Sequence, residues 1–179
     1  MMAHSSSCLR SERLRFSTMA STLELLRQLT TNKVEFVLVG GMAAIAHGST
    51  TVTEDVDICL SFDHQTLSRL WPVLRAAHAK ERMNPKRPEL NADPAKYVGY
   101  RNLYLTTDLG QLDLLGELIA VGSFESVARH SVGFDLGGFE CRVVDLDTLI
   151  VSKTALGRPK DKRVVIELEA VRARRDQKP

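Results

Sequence analysis

Cysteine, tryptophan and long apolar runs are all scarce in this chain. Its three cysteines among 179 residues, Cys8, Cys59 and Cys141, are odd in number and widely separated. That pattern suggests neither a disulfide framework nor a zinc site. Cys59 lies in an apolar stretch and is expected to be a small buried side chain. No apolar run approaches the ~20 residues of a membrane span. Residues 1–18 also lack the ~7–15-residue apolar core of a secretory signal. Carrying Ser5-Ser6-Ser7 with Arg10, Arg13 and Arg15, they are expected to be a disordered tail ahead of one folded domain over residues 19–179. A cytoplasmic location is the default expectation. The net charge of +2 says little about partners, and basic residues are not interleaved with aromatics as in a nucleic-acid surface. No internal repeat is present. Gly-x-Gly-x-x-Gly is absent as well, which makes dinucleotide binding a poor explanation of the glycine pair described next.

What the chain does have is 44% hydrophobic and 26% charged residues, an ordinary globular balance, and enough length for one core without staples. Its organising stretch runs from Val34 to Leu60. Val37-Leu38-Val39 is an apolar run ended by Gly40-Gly41, as a buried strand stops at a tight turn. Met42 to His47 follows as a short helix, so the glycine pair falls at a helix N-terminus. There, unpaired N–H groups and the helix dipole favour an anion such as phosphate. Asp55 and Asp57 lie two apart on the next strand, which sends both side chains to one face. Two such carboxylates repel unless a cation sits between them, and hard divalent cations such as Mg²⁺ take oxygen ligands. A phosphate cradle one strand from a metal-ready carboxylate pair is the chemistry of a nucleotide enzyme.

Gly40-Gly41, a thirteen-residue spacer and Asp55-Val56-Asp57 together resemble the signature of the nucleotidyltransferase superfamily, the fold typified by DNA polymerase beta. The third carboxylate of that pattern, on a later strand, matches Asp113 in Gly110-Gln111-Leu112-Asp113-Leu114-Leu115. Toward the C-terminus, Leu149-Ile150-Val151-Ser152-Lys153 and Gly157-Arg158-Pro159-Lys160-Asp161 resemble small bacterial stand-alone members related to abortive-infection and toxin–antitoxin enzymes. The resemblance spans roughly Leu23 to Val171. It implies an α+β fold, with a mixed β-sheet nucleotidyltransferase core flanked by helices and closed by C-terminal helices. It also implies transfer of a nucleoside monophosphate from an NTP to an acceptor hydroxyl with Mg²⁺ or Mn²⁺. Asp55, Asp57 and Asp113 would then be the catalytic, metal-binding residues, with Asp113 as metal ligand or general base. Gly40, Gly41 and Lys153 would contact the nucleotide, and Lys160 is a further phosphate lysine by the same match. The acceptor stays open among RNA, protein and small molecule. A toxin or defence role is the economical guess, with a cognate antitoxin as partner. Two positions depart from the pattern: Thr51 stands where relatives often carry Arg, and Val164 where they often carry Asp. Thr53 matches. The rival reading is a non-catalytic nucleotide-binding or partner-binding module of the same fold.

The remaining segments read as scaffold. Ser21 with Glu24 suggests a capping box for a helix buried through Leu23, Leu25, Leu26 and Leu29, ending near Thr31-Asn32. Gly48 is expected to cap the short helix after Gly40-Gly41, and His47 to be structural. Asp63 is expected to N-cap a helix carrying Leu67, Leu70, Trp71, Val73 and Leu74, with Pro72 as a kink or restart. Lys80 to Tyr100 is irregular and basic, a solvated insertion or a lid over a polyanion. Asn102–Thr107 and Gln111–Leu115 form a hairpin around Asp108-Leu109-Gly110. Within it Asp113 must be paired, metal-bound or on a polar face. Ser123–His130 is a short helix, 132–135 and 139–144 are strands, and Asp145 and Lys160 begin the last two helices.

Overall fold

Helix α1 (residues 20–31) places Leu25, Leu26 and Leu29 in the core with no solvent exposure, while Leu23 is only half-buried. The computed structural model describes residues 20–86 and 89–177. The expected tail over 1–18, Cys8, and Arg87 and Pro88 of the basic segment lie outside the described residues. Ser21 is not the N-cap that the capping box requires, because residue 20 is already helical. Glu24 accepts hydrogen bonds from Arg27 and from Gln28, at 2.8 Å for the amide of Gln28. Three- and four-residue spacing puts those side chains on its own helix face.

After α1 come β1 (Val37–Val39), α2 (Gly40–His47), β2 (Asp55–Cys59), α3 (His64–Ala76) and β3 (Lys80–Glu81). A 3₁₀ turn (Pro94–Tyr97) precedes β4 (Asn102–Thr107), β5 (Gly110–Leu115), β6 (Glu117–Leu118) and β7 (Gly122–Ser123). The chain then forms α4 (Phe124–Arg129), β8 (Ser131–Asp135), β9 (Glu140–Val144), α5 (Leu146–Leu156) and α6 (Pro159–Asp176). Seven strands make one mixed sheet in the order β3-β4-β5-β2-β1-β9-β8, and β6 with β7 forms a separate ribbon. β1 runs antiparallel to β2 and parallel to β9, while β2 runs parallel to β5. The expected α+β architecture with a mixed sheet flanked by helices is the one observed.

Short polar signals position these elements. Asp63 accepts the Thr66 N–H at 2.7 Å and Asp145 that of Thr148 at 2.8 Å, satisfying amides that α3 and α5 leave unpaired. Gly48 closes α2 in the left-handed region (φ 107°) and donates its N–H back to Ala44 and Ile45. His47 is structural as expected: it is buried, its Nε2 lies 2.7 Å from the Val144 carbonyl, and its ring meets Phe134 edge-on. Pro72 sits inside α3, which continues through it. α2, α5 and α6 pack on one another, with α2 against β1, β2 and β9. Among the described residues no helix is long and apolar enough to cross a membrane.

The basic segment is neither wholly solvated nor structureless. Lys80 pairs with Thr106 on β4, and Tyr97 is buried against Trp71 at 4.7 Å between ring centroids. The Trp71 indole N–H donates to the Asn91 carbonyl at 2.8 Å, and the Tyr97 hydroxyl donates to Glu81 at 3.0 Å. Burial of two aromatic rings fastens the insertion to α3.

Candidate active site

Strand alternation delivers the carboxylates. On β2, Val56 and Ile58 turn into the core at 2% and 0% exposure, which puts Asp55 and Asp57 together on the opposite face. On β5, Leu112 and Leu114 are fully buried in the same way, leaving Gln111 and Asp113 on the face of the β2 aspartates. The parallel register sets Asp57 opposite Asp113 and Asp55 opposite Gln111. One oxygen from each of Asp55, Asp57 and Asp113 lies within 4.8 Å of the others. The three residues named from the sequence are therefore brought to one place.

Gly40 and Gly41 make room for that cluster. Gly40 has φ +65°, and a Cβ there would overlap the Asp57 carboxylate. A Cβ on Gly41 would stand 2.6 Å from Thr53. The Gly41 backbone amide lowers the proton affinity of the Asp57 carboxyl. α2 begins at Gly40 itself, with no side-chain cap on its first turn. Thr53 orients the other aspartate: its hydroxyl donates to Asp55 Oδ1 at 2.8 Å.

Such crowding raises the proton affinity of the cluster. Burial first, then the charge of Asp55, holds the Asp57 carboxyl above its ordinary range, with Lys153 and Lys160 opposing. Asp113, 7% exposed, is pushed up to about 6 by burial, with Asp57 and Asp55 adding to the rise. Arg82 works against that rise. Its guanidinium donates to Asp113 Oδ1 at 2.5 Å and to the Gln111 side chain, beneath the Tyr104 ring. Arg82 follows β3, and its N–H donates to the Tyr104 carbonyl at 2.8 Å. In the sequence it was one of several bases in an irregular segment; only the β3-β4-β5 strand order brings it to Asp113.

The triad and glycine pair line a cavity of about 480 Å³. Lys153, Arg158 and Lys160 form part of its wall, and Val52, Ile119 and Leu156 are apolar residues at the same cavity with substantial exposure. Lys153 is not a solvated helix lysine. It is 7% exposed, and its Nζ donates to Asp161 Oδ1 at 3.2 Å. Asp161, itself 1% exposed, also takes the Arg158 Nε on its other oxygen at 2.5 Å. Arg158 and Asp161 carry the family resemblance in the sequence, but neither is assigned a role there: Arg158 falls in the break before the last helix and Asp161 at the start of that helix. The available signal was a carboxylate eight residues beyond Lys153 and three beyond Arg158. Val164, where the resemblance expects Asp, is a buried apolar residue at the cavity.

No family model and no curated protein matches this chain in sequence. Solved structures do match. The lincomycin-bound lincosamide antibiotic adenylyltransferase LnuA superposes with a TM-score of 0.61 at 12% identity, over 85% of this chain and 96% of its own. A Thermotoga maritima protein described as a nucleotidyltransferase, TM1012, gives 0.53 at 15% identity, over 94% and 96%. The antibiotic-resistance factor ANT(2'')-Ia gives 0.53 at 13% identity, over 87% and 89%. The chain shares the fold of these three structures.

Proposed function

We propose that this protein is a metal-dependent nucleotidyltransferase that moves a nucleoside monophosphate from an NTP to an acceptor hydroxyl. The observation that carries the reading is the convergence of Asp55, Asp57 and Asp113 within 4.8 Å at the cavity beside Gly40-Gly41. Three carboxylates make an all-oxygen donor set, which fits Mg²⁺ or Mn²⁺ and suits no soft metal. Asp55 and Asp57 would hold the cation that meets the nucleotide, and Asp113 would complete the set on the acceptor side. Bound divalent cations supply neutralisation of the phosphates and of the charge on the departing pyrophosphate.

The chain's own groups do the rest. In the transfer, the acceptor oxygen bonds to the α-phosphorus, the bond from that phosphorus to the β-phosphate oxygen breaks, and the hydroxyl proton is released. Asp113, on the acceptor side, would serve as a metal ligand or as the general base that takes this proton. Thr53 fixes the Asp55 carboxylate. Gly40 and Gly41 at the start of α2, together with Lys160, line the cavity and would meet phosphate oxygens there.

The acceptor is RNA, a protein or a small molecule. The lincomycin-bound state of LnuA, an adenylyltransferase of the same fold, supports the small-molecule option. A toxin or defence enzyme acting in the cytoplasm, restrained by an antitoxin, is the setting we favour for a chain of this type. The second reading, a module of the same fold without turnover, is favoured by one observation, the uncharged Thr51 at the cavity.

The test is calorimetric titration of each NTP, with Mg²⁺ or Mn²⁺, into wild type and Asp55→Ala/Asp57→Ala. Metal-dependent binding that disappears in the variant supports the site and selects the nucleotide. Incorporation of that labelled nucleotide into RNA, protein or small-molecule fractions then separates enzyme from module. Tight binding indifferent to both metal and substitution would overturn the reading.

A further inference from the structure

Arg158 is held in place from three directions. Gly157 ends α5 in the left-handed region (φ 64°) and Pro159 opens α6, which fixes the backbone on both sides. A residue before proline is restricted to extended conformations, and Arg158 has ψ 154°. Its Nε is tied to Asp161 Oδ2. That carboxylate is almost wholly buried and receives Lys153 on its other oxygen, so the ammonium of Lys153 is committed to neutralising it. The Arg158 side chain, by contrast, remains 52% exposed and lines the cavity of the aspartate triad. Among the described residues its two terminal amino groups take no protein partner. A guanidinium held by Nε presents those two groups as a planar fork, the shape that grips two oxygens of one phosphate.

We infer that Arg158 is a phosphate-binding residue, positioned by Asp161, which grips the terminal phosphates of a nucleoside triphosphate in this cavity. This inference rests on the nucleotidyltransferase reading and deepens it by moving the principal anion contact from Lys153 to Arg158. It also accounts for Thr51. The chain carries no cation on the approach to β2, from Ser49 to Glu54, and Arg158 supplies one to the same cavity from α6. The hydrogen bond to Asp161 first, and then the charges of Asp57 and Asp55, raise the proton affinity of the guanidinium, which is consistent with its proximity to the triad.

The experiment is calorimetric titration of inorganic tripolyphosphate, of the four NTPs with Mg²⁺ and of the matching nucleosides into wild type, Arg158→Gln and Arg158→Lys, with thermal melts of each. The expected result is a loss of tenfold or more in triphosphate affinity for Arg158→Gln, on the scale of a charge-assisted pair. Arg158→Lys should recover part of that loss, because it keeps the charge without the fork. Nucleoside binding should not change. Wild-type NTP binding with Arg158→Gln unaltered would overturn this inference and leave the proposed function standing. Equal losses for nucleoside and triphosphate would also overturn it, since they mark a deformed cavity. If wild type bound no NTP, the functional reading itself would fall, and this inference with it.

Discussion

Asp57 and Asp113 stand opposite each other in parallel register on β2 and β5, two carboxylates at adjacent strand positions in a partly buried site. The fold tolerates that repulsion with help from Arg82 at Asp113, the Gly41 amide at Asp57 and the opposing charges of Lys153 and Lys160.

Replacing Asp57 by Asn should therefore separate stability from activity. The amide removes a repelling, desolvated charge, and in metal-free buffer the melting temperature should hold or rise. Metal-dependent NTP binding should be lost, with any transfer activity down by about 10²–10³-fold. Calorimetry beside the melts checks both halves, and a marked fall in melting temperature would assign Asp57 a structural role.

The pH dependence follows from Asp113. Its folded pKa of about 6 exceeds the ordinary value of 3.8, so the folded state holds that proton more tightly than the unfolded chain. The resulting stabilisation is full below the unfolded value and is lost as pH rises through about 6. Asp57, raised in the same direction, adds to the same slope. Urea denaturation of wild type relative to Asp113→Asn, at intervals from pH 5 to 7.5, should show wild type losing on the order of 1 kcal/mol. Because a cation must displace the proton, Mn²⁺ affinity of wild type should climb through the same window. Parallel stability profiles would contradict the assignment.

Gly40→Ala is expected to be severe. The new Cβ meets the Asp57 carboxylate, and the backbone at φ +65° is strained for alanine. A loss of about 2 kcal/mol or more is the expected outcome, read by denaturant midpoint. The double variant Gly40→Ala/Asp57→Gly should recover part of it, since the obstructing side chain is gone.

Lys153→Ala should destabilise the fold through Asp161 rather than through any ligand. It leaves a carboxylate at 1% exposure with Arg158 as its one remaining ion-pair partner among the described residues. The expected cost is about 3 kcal/mol. Lys153→Met/Asp161→Leu, which removes both charges, should recover most of that cost in the same melts. A stable Lys153→Ala protein with normal unfolding would show that the buried pair contributes little.

Local rules were enough for much of this architecture. A glycine pair after Val37-Leu38-Val39, the two-residue spacing of Asp55 and Asp57, the turn at Asp108-Leu109, and the caps at Gly48, Asp63 and Asp145 all act within a few residues. Each appears where the chain's own chemistry puts it. The Ser21 capping box is the counter-example: the helix starts earlier, and Glu24 is drawn to Arg27 and Gln28. What the amino-acid sequence by itself determined was that Asp55 and Asp57 share one face, because strand alternation is a one-dimensional property; Asp113 was named by the family resemblance, and the pairing of β2 with β5 brings it to them. What only the tertiary structure decided was the electrostatic company of that triad. Arg82 reaches Asp113 because β3, β4 and β5 are neighbours in the sheet, and Lys153 and Arg158 converge on Asp161 because α5 turns into α6 at Gly157. Charge pairing is a matter of distance through space, and the order of residues along a chain does not encode it.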